Sequence, residues 1–133
     1  MKLYQTSVLT TFALLLPILL TGCGSSPDSV MGEMIDKIKE LNDVLEKVDD
    51  KESAEAHKAE IESIANELNE LTEEYEELEK DMSKEEKNEI EEKYRDDASK
   101  AVRDTVGHMF RMATSPYGAE IAKALQGIKL DKK

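Results

Sequence analysis

The chain has one cysteine, Cys23, so an internal disulfide is excluded. It has no tryptophan, two phenylalanines and four tyrosines. A core must therefore be built from Leu, Ile, Val, Met and Ala, and an aromatic platform for stacking bases is not available. Six scattered glycines form no phosphate-cradling loop, and no serine sits in a nucleophile elbow. The acidic runs lack the glycine and the alternating ligand spacing of a calcium loop. Long apolar runs are missing too. Residues 8–20 are a 13-residue apolar stretch containing Pro17, whereas a hydrocarbon core about 30 Å thick takes roughly 20 apolar residues to cross. These absences argue against an enzyme, a cofactor-dependent protein and a helical membrane span.

Charge is abundant and uneven. Residues 28–93 hold 25 acidic and 9 basic side chains, net −16, whereas residues 94–133 hold 5 acidic and 8 basic, net +3. Such a body repels nucleic acid, because binding would require cations to neutralise phosphates. It also stands off from an anionic leaflet.

The apolar stretch runs directly into Leu20-Thr21-Gly22-Cys23 and follows a short amino-terminal region with Lys2. This arrangement resembles the lipobox of bacterial lipoproteins. The resemblance implies that residues 1–22 are a signal peptide removed at maturation, and that Cys23 becomes the first residue and carries lipid, palmitate included. It further implies a membrane partner through that lipid, each buried methylene adding about 0.8 kcal/mol of affinity. Gly24 rather than Asp follows the cysteine, which in lipoproteins of enteric type implies the outer membrane, facing the periplasm. Residues 23–28, rich in Gly, Ser and Pro, read as a tether. Residues 29–133 then form one helical bundle domain.

Hydrophobic period organises that domain. Met31, Met34, Ile38, Leu41, Leu45 and Val48 are spaced 3, 4, 3, 4, 3, which keeps one seam along a first helix capped by Asp28 or Ser29. Asp49 and Asp50 mark a turn and a new cap. A second helix carries Ala54, His57, Ile61, Ile64, Leu68, Leu71, Tyr75, Leu78 and Met82 in unbroken alternation. Ser83-Lys84-Glu85-Glu86 reads as a capping box that restarts the backbone as a third helix, running to about Thr114. This helix has two apolar rows. Ile90, Tyr94, Ala98, Ala101, Thr105, His108 and Met112 form one, expected against the second helix; Val102, Val106, Met109, Phe110 and Ala113 form the other, expected against the first. Ser115 and Pro116 are expected as N-cap and first residue of a short fourth helix, closed by Gly127 with Ile128 beyond it.

The expected fold is therefore all-α: a long antiparallel, coiled-coil-like helical hairpin, with a shorter N-terminal helix and a short C-terminal helix on one half. With the turn at Met82 and Ser83, facing residues of the hairpin should sum to about 165, pairing Tyr75 with Ile90, Leu71 with Tyr94, Ile64 with Ala101 and His57 with His108. The first helix is too short to cover both halves, so residues 71–93, with 11 acidic and 4 basic side chains, are expected to project as a two-helix stalk.

One constellation could do chemistry. His57 and His108, with Glu60 one turn from the first and Asp104 one turn from the second, would suit a divalent metal if they converged. The His57-Lys58-Ala59-Glu60 spacing occurs once, while a carboxylate-bridged dimetal site needs it twice. Packed rings at a seam edge account for both histidines more simply. The junction at residues 44–56 resembles that of small exported helical proteins of bacteria and implies no activity. The chain is also similar to the murein lipoprotein family, lipid-anchored helices joined to peptidoglycan through a terminal lysine; here Lys132 and Lys133 stand last, but breaks near residues 50, 83 and 115 depart from a single rod. The expected function is a lipid-anchored cell-envelope protein with a non-enzymatic structural or protein-binding role, with self-association through an exposed seam as one route. Peptidoglycan tethering and divalent-metal binding are the alternatives.

Overall fold

Ser26 starts the first helix, because its hydroxyl accepts from the Ser29 backbone N–H at 3.1 Å and Pro27 follows with its φ already set for a helix. In the computed structural model, residues 25–125 and 128 are described; the lipobox, Cys23 and Gly127 lie outside them. Four helices make up the described chain: α1 Pro27–Glu46, α2 Lys51–Glu79, α3 Lys84–Ala113 and α4 Gly118–Leu125. No strand occurs among the described residues. The all-α hairpin architecture expected from the periodicity is the one observed.

Local chemistry sets most boundaries. Asp50 accepts from the Ser53 backbone N–H at 2.8 Å while the Ser53 hydroxyl receives the Asp50 N–H at 3.0 Å, a reciprocal capping box that opens α2. Ser83 and Glu86 do the same for α3, at 3.2 and 2.8 Å. Two expected caps are corrected. The cap of α1 is Ser26, not Asp28 or Ser29, so the helix begins inside the stretch read as tether. Ser115 does not cap α4: its hydroxyl donates to the Met112 carbonyl at 2.7 Å, closing α3, and α4 begins at Gly118. That glycine is required by space, since a Cβ there would lie 1.8 Å from the Met112 carbonyl oxygen.

The short turns at residues 47–50 and 80–83 make α2 antiparallel to both α1 and α3, so α1 and α3 run parallel. Cross-links confirm this ordering: Asp28 meets Lys93, Asn42 meets Ala101, and the Leu45 carbonyl meets Arg111. The α1 helix is central, packing along both α2 and α3, while α4 packs on α2 and α3. Here the expected seams change. The first row of α3 packs on α1, not on α2, and its second row is exposed instead of facing α1: Val102 is 51%, Val106 58% and Phe110 73% accessible. Ile64 and Ala101 are both buried, but each packs toward α1: Ile64 joins Leu41, Val44 and Leu45, and the Ala101 carbonyl accepts from Asn42. Small residues explain the choice. Gly32 admits the ring of Tyr94, whose hydroxyl donates to the Asp28 carbonyl at 3.1 Å, and Ala101 leaves room for Asn42.

A central helix must bury two faces, and α1 does. Leu41, Leu45 and Val48 lie on the expected seam, while Val30, Ile35, Asn42 and Val44 are buried beside it. The main core joins Leu41, Val44, Leu45 and Val48 to Ala54, Ile61, Ile64 and Leu68 of α2, Met112 of α3, and Ile121, Ala124 and Leu125 of α4. The free stalk is also corrected. Met31 shares a cleft with Tyr75 and Ile90, and Ser26, Pro27 and Asp28 share one with Met82 and Glu89, so α1 reaches the far turn. Its register against α3, with residue 28 beside residue 93, places it there.

Candidate interaction surface

The expected metal ligands do not form a site. Among the described residues no three His, Cys, Asp or Glu side chains gather as a metal would need. His57 pairs through Nδ1 with Glu60 at 2.9 Å on α2. Asp104 and His108 lie in a polar cleft between α1 and α3 with Lys100, Arg103 and Arg111. Asp43 and Glu46 of α1 line it too, so three carboxylates and three cations share the cleft. Asp104 is committed to Lys100 at 2.8 Å, which holds its carboxyl below the usual Asp range. His108 Nδ1 lies 3.4 Å from the Arg111 guanidinium, and Arg111 donates to the Leu45 carbonyl at 2.7 Å, a charged second donor to an acceptor at the end of α1 that also receives the Val48 backbone N–H at 3.2 Å. This cleft is a structural junction, with α1 closed by a cation from α3.

A buried polar cluster fixes the same interface. The Asn42 amide donates to the Ala101 carbonyl at 2.9 Å, and its oxygen accepts from the Thr105 hydroxyl at 2.8 Å. The same hydroxyl lies 3.0 Å from the Ala101 carbonyl, an alternative acceptor for its one proton. Among the described residues Asn42 is the one buried polar side chain, and no buried side-chain polar atom lacks a partner. Sequence reading missed Asn42, because it stands one position off the seam; a polar residue beside Leu41 in an otherwise apolar register was the available signal. Ion pairs flank this interface. Lys37 reaches Glu67 of α2 at 2.6 Å and Lys39 reaches Asp97 of α3 at 3.3 Å. Hydrogen bonds to Glu40 and Glu67 raise Lys37 above the ordinary lysine range, and Lys37 lowers Glu67 in turn.

The exposed row of α3 borders the most distinctive surface feature. Val102, Val106 and Met109 form one wall of an apolar groove, Leu68 and Thr72 of α2 the other, and Met34, Ile38 and Leu41 of α1 the floor. Leu125 and Ile128 close one end, and the volume is about 150 Å³. A groove arises here because α1 separates α2 from α3, and α4 fills only part of the slot above α1. Phe110, the most exposed large apolar side chain among the described residues, follows Met109 on α3. Val102, Val106 and Met109 thus leave an apolar helical face accessible on an acidic chain.

No protein-family model, curated protein or solved structure matches this chain.

Proposed function

We propose that this is a lipid-anchored cell-envelope protein, acylated at Cys23, in which the helical bundle has a structural or protein-binding role and no catalytic one. The observation that carries the reading is the Leu20-Thr21-Gly22-Cys23 run directly after a 13-residue apolar stretch. Residues 8–20 are too few to span a hydrocarbon core, so attachment is assigned to the lipid. The bundle supplies a body whose polar clefts are occupied by internal ion pairs and whose apolar groove is open, which suits docking better than turnover. The outer membrane is the proposed site, on the strength of Gly24.

Metabolic labelling with a fatty acid tests the anchor. The wild type should incorporate label and shift to the processed size, and Cys23→Ala should do neither. An unlabelled wild type, or normal processing of Cys23→Ala, overturns the proposal.

A further inference from the structure

The apolar groove opens at the end of α4. Leu125, the last residue of α4, lines it, and the Ile128 backbone N–H donates to the Leu125 carbonyl at 3.0 Å, which sets Ile128 at the groove mouth as well. We propose that the groove is an internal docking site for residues 129–133 of this same chain, with Leu130 as the side chain that fills it.

Four observations support this occupant. Ile128 packs against the core cluster and delivers the chain to the groove. Leu130 follows two residues later, the one large apolar side chain of residues 129–133, and is close enough in the chain to Ile128 to reach the groove. The volume fits: about 150 Å³ is what a cavity holding a single benzene-sized group measures, enough for one leucine side chain and too little for a helix. Charge agrees as well. Between Leu68 and Leu78, α2 carries Glu70, Glu73, Glu74, Glu76 and Glu77 with no basic residue, whereas residues 129–133 hold three lysines and one aspartate. A second copy of this chain would bring a similarly acidic α2 to the same face.

Hydrogen exchange on the full-length protein in detergent tests the assignment. Leu130→Asp should raise exchange several-fold at residues 102–109 and 38–41, with Leu130→Met close to wild type. Residues 54–64, which do not line the groove, should not change, and tenfold dilution should leave the wild-type pattern intact. Three results overturn the proposal: wild-type exchange in Leu130→Asp; equal acceleration at residues 54–64, which would make Leu130 part of the global core; or protection that falls on dilution, which would make a second copy the occupant.

Discussion

The two ends of the α2–α3 hairpin are built on different physics. At the end near Ile61 and Met112, all four helices contribute to one cluster, and Leu41, Leu45, Ile61 and Ile121 are almost wholly buried. At the end near the 80–83 turn, Ile90 is the one buried apolar residue of α3 before Ala101, Val30 of α1 is buried outside the main cluster, and polar links supplement this thinner packing: Lys93 with Asp28 at 2.7 Å, Lys87 with Glu79 at 3.0 Å, and Tyr94 with the Asp28 carbonyl. Exposed ion pairs each contribute little, about 0 to 1 kcal/mol. The first end holds the molecule together, and the second is aligned by α1 without being strongly held. A helical period repeated evenly along a hairpin thus conceals an uneven distribution of stability.

Core truncation should break the comparison most sharply. Ile61→Ala removes a fully buried side chain from the four-helix cluster and should cost about 2 to 5 kcal/mol, while Ile90→Ala at the turn end should fall at or below the bottom of that range. Urea denaturation of the two variants measures the difference. Equal losses would mean that the turn end is as well packed as the core.

Two glycines give the next largest effect, with opposite signs. Gly118→Ala drives a methyl into the Met112 carbonyl and should destabilise by about 1 to 3 kcal/mol. Gly107, inside α3 with nothing within 4 Å of an added Cβ, should accept alanine with a gain of about 0.5 to 1 kcal/mol from helix propensity. Melting temperatures that moved in the same direction would contradict the close approach at Gly118.

The polar cluster at mid-length should respond less. Asn42→Ala lets the Thr105 hydroxyl donate to the Ala101 carbonyl instead, so the loss should be about 1 kcal/mol. Asn42→Leu should keep the fold but weaken the register between α1 and α3, seen as faster exchange across residues 97–105.

Acidity probes the smallest terms. Ser53 hydrogen bonds hold the Asp50 carboxyl below its ordinary range, and Ser83 does the same for Glu86. For a carboxylate whose folded pKa is depressed, the stabilisation is complete above the unfolded pKa, near 4, and is lost as pH falls through the folded value. Asp50→Asn should therefore flatten the fall of melting temperature below about pH 4, with little change in m-value. An unchanged acid profile would show that the cap contributes nothing through its charge.

Local features were legible residue by residue. The Asp50–Ser53 and Ser83–Glu86 boxes involve groups three residues apart, so no distant contact is needed to form them. The caps of α1 and α4 were misplaced for a related reason: Ser26, Asp28 and Ser29 are all acceptable caps, and the choice depends on where Pro27 falls, while the Ser115 hydroxyl was already taken by Met112. The exposed groove was hidden. Val102, Val106 and Met109 have the spacing of a buried row, and periodicity reports that side chains share a face without naming the neighbour.

By itself, the sequence determined that this chain is helical, where its long helices divide, and that its charge is concentrated before residue 94. These follow from backbone capping, side-chain propensity and composition, which act over a few residues. Tertiary structure alone decided that α1 lies between α2 and α3, because that depends on which small residues admit which large ones: Gly32 beneath Tyr94, Ala101 beneath Asn42. With α1 central, the first row of α3 is turned onto it and the second is left to line an open groove. Each of these outcomes rests on contacts between residues some sixty positions apart, whose relative placement no local pattern encodes.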